Sequence, residues 1–157
     1  MEHLSAPEQR LAALGYALPE PPPPAANYVP FVVAGELVHV SGQIPMEPEG
    51  ALVLGRVGEQ CTVAQAQDAA RLVALALLSQ VKVACSGDLD RVVRVVKLGG
   101  FVACTPDFRL QSRVIDAASD LMIAAFGEAG WHARAAVGVA SLPLGVPVEI
   151  DGIFQIR

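Results

Sequence analysis

The stretch Val146-Pro147-Val148-Glu149-Ile150-Asp151-Gly152-Ile153-Phe154-Gln155-Ile156-Arg157 alternates between apolar and polar residues. Side chains along a β-strand point to opposite faces in turn. Val146, Val148, Ile150, Phe154 and Ile156 therefore share one face, and Glu149, Asp151, Gln155 and Arg157 share the other. Such a strand packs on one side only, which predicts a sheet with helices on a single face.

Upstream, Ala133 to Ala140 reads as another strand. Ala133, Ala135, Val137 and Val139 are expected to pack against the helices. The opposite face carries His132, Arg134, Ala136, Gly138 and Ala140, and a long cation among such small residues reads as standing over open space. A helix is expected from about Phe108 to Phe126, with Asp107 as a cap and Gly127 placed to end it. Leu89 to Val102 holds the β-branched run Val92, Val93, Val95 and Val96 and reads as a strand. Thr62 is placed to cap a long helix from Val63 to about Ala84, whose second half is apolar on nearly all sides and so deeply covered. Tyr28 to Ala34 and Leu37 to Ser41 read as a hairpin turning at Gly35-Glu36.

The element order is ββαβαββ, an α+β fold with a mixed sheet and two helices on one face. Arg134, Glu149, Ser41 and His39 are candidates for strand faces turned away from those helices. By pattern alone, an arginine and a glutamate on neighbouring strands are more readily a structural ion pair than a site.

Residues 1–27 form an extension before a domain at 28–157. Within it, Ala6 to Leu14 reads as a short helix with Ser5 as N-cap and Pro7 near its start, followed by the run Pro19-Glu20-Pro21-Pro22-Pro23-Pro24, which favours an extended chain.

The bulk properties narrow the function. The 157 residues suit one domain, with 53% hydrophobic and only 17% charged residues. So little charge predicts that part of the surface is covered by another copy of the chain. The net charge of −5, with no basic run, argues against a nucleic-acid partner. Cys61, Cys85 and Cys104 are widely spaced, with no zinc-type cluster, and read as reduced thiols of a cytoplasmic protein. Neither the start MEHLSAPEQR nor the ten-residue run Leu72 to Val81 reads as a signal peptide or a membrane span. Cys104 has no histidine near it in sequence and is read as a loop cysteine.

Three segments make the reading specific. Val40-Ser41-Gly42-Gln43-Ile44-Pro45 resembles the strand-ending Ser-Gly-Gln-Ile/Val-Pro of the RidA/YjgF/L-PSP family. Ala133-Arg134-Ala135-Ala136-Val137-Gly138-Val139 is similar to that family's Ala-Arg segment, and Leu142-Pro143 followed by Val148-Glu149-Ile150-Asp151 is similar to its ending. Asn27-Tyr28-Val29 stands where the family often has Gly-Pro-Tyr. The likeness spans roughly Tyr28 to Arg157.

The resemblance implies a chorismate-mutase-like fold and a homotrimer whose sheets surround a central barrel, with ligand clefts between subunits. It implies Arg134 as the carboxylate-binding arginine and Glu149 as the group that orients water. Tyr28, Ser41 and the Ala136 backbone N–H become further substrate contacts. The family's second-helix asparagine has no unique counterpart in Arg113 to Asp120. The implied reaction is hydrolysis of 2-imino or enamine acids to 2-keto acids and ammonia, with no metal or cofactor. Two alternatives remain open at this point: a non-catalytic trimer that binds small carboxylates, and an endoribonuclease or translation inhibitor.

Overall fold

The computed structural model describes residues 3–24 and 26–157. Helix α1 spans Ala6–Ala13, strand β1 Phe31–Ala34 and strand β2 Leu37–Gln43. Helix α2 spans Val63–Ala84, strand β3 Val92–Ala103 and helix α3 Gln111–Phe126. Strands β4, Ala133–Val139, and β5, Val148–Ile156, complete the order. The five strands form one sheet in the order β1-β2-β5-β3-β4. Only the β3–β4 pair is parallel, with α3 as its crossover, so the sheet is mixed as expected.

Local chemistry accounts for the boundaries. Thr62 Oγ1 accepts from the Gln65 N–H at 3.2 Å, and Gln65 Oε1 accepts from the Thr62 N–H at 2.9 Å. This reciprocal pair satisfies two donors that the first turn of α2 would leave open. The β1–β2 turn places Gly35 at φ 61°, in the left-handed region where glycine is favoured, so a two-residue hairpin closes at the expected place. Helix α3 begins later than expected. Its N-cap is Leu110, so Asp107 lies in the preceding turn and does not cap it.

The core fills the space between one sheet face and helices α2 and α3. Val38, Leu98, Val102, Val148, Ile150 and Phe154 have no exposed surface and meet the fully buried Val73, Leu77, Leu78, Ile115 and Met122. Burying each such side chain is worth roughly 1.5–3 kcal/mol. The five apolar residues of the last segment, Val146, Val148, Ile150, Phe154 and Ile156, are all buried, as their alternation predicts.

The N-terminal helix joins the same core. Leu11 is buried in it, and the Arg10 guanidinium donates to the Ala125 carbonyl at 2.8 Å. Glu8 accepts from the N–H and the hydroxyl of Ser5 and pairs with Lys82 of α2 at 2.7 Å. The proline-rich strap is tied down by Ser79 and Gln80 of α2, which donate to the Pro19 and Pro22 carbonyls. Among the described residues, no helix is long and apolar enough to cross a membrane.

Candidate functional site

Strand β4 faces the opposite way from the sequence expectation. Arg134 is paired with Leu98 and Ala136 with Gly100, and residues directly opposite one another share a face. Leu98 has no exposed surface, and a Cβ on Gly100 would stand 2.6 Å from Ile115 Cγ1 of α3. Arg134 and Ala136 therefore lie on the helix side. Ala133, Ala135 and Val137 are exposed on the other face. The small residues that read as open space mark the reverse: a Cβ on Gly138 would meet Cys104 Sγ and Gln111 Nε2, each at 2.8 Å. The backbone is small there because neighbouring side chains press against it.

Facing α3, Arg134 is held by three bonds. Nη1 donates to Ser119 Oγ at 3.0 Å, while Nη2 donates to the Ser112 carbonyl at 3.2 Å and to Asp116 Oδ1 at 2.7 Å. Ser112, Asp116 and Ser119 recur at helical spacing and form one stripe of α3. Sequence reasoning did not find this stripe; its signal was three polar residues at i, i+4 and i+7, partly masked by Gln111, Arg113 and Asp120 on the same helix. Ser119 also meets His132 Nε2 at 2.9 Å, and His132 Nδ1 lies 2.6 Å from the Gly130 carbonyl. Burial, reinforced by the Arg134 charge and opposed by the Gly130 bond, holds His132 below its ordinary value.

Glu149 occupies the opposite, helix-free face. It pairs with Phe101 of β3, and its carboxylate lies directly over Gly42: a Cβ on Gly42 would collide with Oε1 and reach 3.0 Å from Cδ. The register of β2 against β5 runs from Val40↔Gly152 to Gln43↔Ile150, so one extra residue bulges out at Ser41-Gly42. Burial, with Asp151 adding, pushes the Glu149 carboxyl above its usual range. Such a shift suits a base that exchanges protons nearer neutrality.

Tyr28 and Ser41 belong to this second group. Ser41 Oγ donates to the Val29 carbonyl at 2.8 Å and its N–H to the Pro30 carbonyl at 2.9 Å. The segment bearing the half-exposed Tyr28 is thus stitched to the bulge that Glu149 covers. His39 is exposed on β2, opposite Ile153 on the helix-free face.

The structure therefore places Ser41 at the bulge that Glu149 covers, ties the segment that carries Tyr28 to Ser41, and keeps Arg134 and Ala136 apart from them. Glu149 and Arg134 are separated by two strand spacings, about 10 Å, and three residues along β3, about 10 Å, and lie on opposite faces. Among the described residues, no group of three or more His, Cys, Asp or Glu could hold a metal.

A mixed five-stranded sheet backed by α2 and α3, with a half-buried arginine on its edge strand, defines a chorismate-mutase-like α+β protein. Residues 8–149 match the family model described as "YjgF/chorismate mutase-like, putative endoribonuclease". The chain is 49% identical to Protein TCP17 of Trypanosoma cruzi over 148 residues, covering 94% of this chain and 92% of that one. It is also similar to the crystal structure of Atu1372 from Agrobacterium tumefaciens, with a TM-score of 0.90, 51% identity and coverage of 97% and 94% of the two chains. RidA from an Antarctic Psychrobacter superposes with a TM-score of 0.59 at 28% identity, over 87% of this chain and 92% of that one. The chain belongs to the YjgF/RidA family.

Proposed function

We propose that this protein hydrolyses 2-imino and enamine acids to 2-keto acids and ammonia in clefts between the subunits of a homotrimer. The observation that carries the reading is the division of the motif residues into two half-sites. Arg134 stands on the edge strand, with a helix holding its guanidinium, while Glu149 lies on the other face, over the bulge where Ser41 holds the segment that carries Tyr28. A single chain cannot bring them to one small molecule, but a second copy can.

The helix-free face supports such an assembly. Val32, Leu37 and Val137 are exposed there, and half-buried Phe101 and Ile153 lie on the same face. An apolar sheet face of this kind invites cover. In the cleft, Arg134 grips the substrate carboxylate through the forked N–H donors of guanidinium. Asp116, which holds Nη2 from the surface, is the partner that an incoming carboxylate replaces. The Ala136 N–H adds a donor to the same carboxylate. Glu149 orients water and takes its proton as the oxygen attacks the imine carbon. With the imine nitrogen protonated at the start, the adduct is a neutral carbinolamine. Glu149 returns its proton to the amine nitrogen, the C–N bond breaks with its electron pair leaving on ammonia, and the hydroxyl proton passes to water as the C=O forms.

The −5 net charge counts against a ribonuclease, whose phosphate-bearing substrate calls for a basic footprint. To test the reading, 2-iminopropionate and longer imino acids are generated in situ with an amino-acid oxidase, and imine decay is followed by semicarbazide trapping. Wild type should accelerate decay and Arg134→Ala should not. No acceleration by wild type across the panel rules out the deaminase and leaves a carboxylate-binding trimer.

A further inference from the structure

We infer that His132, acting through Ser119, is a positioning residue for the Arg134 guanidinium. The inference rests on the reading that Arg134 clamps a carboxylate. Three hydrogen bonds in series carry it: Arg134 Nη1 to Ser119 Oγ at 3.0 Å, Ser119 Oγ to His132 Nε2 at 2.9 Å, and His132 Nδ1 to the Gly130 carbonyl at 2.6 Å.

The direction of the chain follows from what each group can do. A backbone carbonyl only accepts, so His132 Nδ1 carries the proton and donates to Gly130. In neutral imidazole Nε2 is then an acceptor, and the Ser119 hydroxyl donates to it. That commits the one hydroxyl proton of Ser119, leaving its lone pairs for the guanidinium, which only donates. Reversing one link disturbs the others. Burial and the neighbouring Arg134 charge both favour the neutral ring this arrangement needs.

The charged groups around the chain agree with that assignment. They are Arg134 on β4, Asp116 on α3, which binds that arginine, and Arg94 on β3, whose guanidinium donates to the Trp131 carbonyl at 3.1 Å. Asp116 is largely exposed and holds Nη2. Ser119 is buried and holds Nη1. The buried, tautomer-fixed arm sets the plane of the fork, and the exposed carboxylate is the arm a ligand can displace. His132 touches no substrate on this account.

The experiment measures binding of 2-oxobutyrate by calorimetric titration of the full chain. The variants are Arg134→Ala, Ser119→Ala, His132→Leu, His132→Gln and the Ser119→Ala/His132→Leu pair. Ser119→Ala and His132→Leu should each weaken binding about tenfold, the usual scale for one hydrogen bond. The double variant should be no worse than Ser119→Ala, because both changes cut one chain. His132→Gln, whose amide oxygen can accept from Ser119, should recover most of the affinity. The His132 ring nitrogens in a long-range proton–nitrogen spectrum should show the Nδ1–H form.

Wild-type affinity in Ser119→Ala and His132→Leu, alongside loss in Arg134→Ala, overturns the inference and leaves the clamp standing. A protonated Nε2 in the neutral ring also overturns it. Unchanged affinity in Arg134→Ala removes the clamp itself, and the inference with it.

Discussion

Arg134 on β4 and Glu149 on β5 lie on opposite faces of one sheet, with β3 between them. Each is fixed by its own neighbours: Arg134 by the Ser112, Asp116 and Ser119 stripe of α3, and Glu149 by its seat over Gly42. Two rigid half-sites that cannot meet within one protomer are what a cleft between subunits requires. Because interior positions are close-packed, neither side chain can swing through the sheet to the other.

The seat of Glu149 predicts the effect of Gly42→Ala. The added methyl must displace the carboxylate, since its Oε1 and Cδ occupy the space. Turnover of 2-imino acids should fall on the order of tenfold or more, because catalysis depends on placement. Stability should change by less than about 1 kcal/mol, because the flexible Glu149 side chain can swing aside. Steady-state kinetics and thermal melts together check both.

The Glu8–Lys82 pair predicts an acid-sensitive anchor for the N-terminal helix. Burial alone pushes Glu8 up, but its bonds to Lys82 and Ser5 outweigh that and hold it below its ordinary value. A depressed carboxylate contributes stability above its unfolded value and loses it as pH falls through the folded one. Glu8→Gln should cost about 1–3 kcal/mol at neutral pH, and the difference from wild type should shrink in acid. Chemical denaturation at pH 7 and at about pH 3 measures this.

His132 has the opposite charge type and works in a different window. The folded chain binds its proton more weakly than the unfolded chain, so the unfolded state holds more protons just below the ordinary histidine value. Stability should therefore rise with pH below about pH 6.5, the ordinary histidine value, and flatten above it. His132→Gln should remove that slope. Melting curves across the window decide it, and an unchanged slope assigns it to other groups.

The exposed apolar face predicts an assembly that charge should break. Val137, 45% exposed on the edge strand, is the place to test it. Val137→Lys should shift the mass measured by light scattering from about three protomers toward one, because a buried ammonium at an interface is costly. Mean residue ellipticity should stay the same.

Much of the fold was legible because strong periodicities coincide with burial. The alternation of Val148, Ile150, Phe154 and Ile156 identified the covered face of β5, and Thr62 marked the start of α2. Strand β4 was misread because its two faces differ little in hydrophobicity. There the deciding quantity is volume, and Gly138 and Ala136 are small where neighbouring side chains come close, with apolar Val137 left outside. The Arg134 motif was legible by resemblance, but its partners were not. Ser112, Asp116 and Ser119 are distant in sequence from Arg134, and only the packing of α3 on β4 brings them to it.

The central claim is that Arg134 and Glu149 of different protomers share one site. The most direct measurement is complementation of two inactive variants, Arg134→Ala and Glu149→Gln, co-expressed with different tags and purified as mixed assemblies. Where a Glu149→Gln chain supplies Arg134 and its neighbour supplies Glu149, an intact cleft forms, as at about one third of clefts in mixed trimers. Imine hydrolysis should return to about a third of the wild-type rate per protomer. Mixed assemblies no more active than their parents would contradict a shared site.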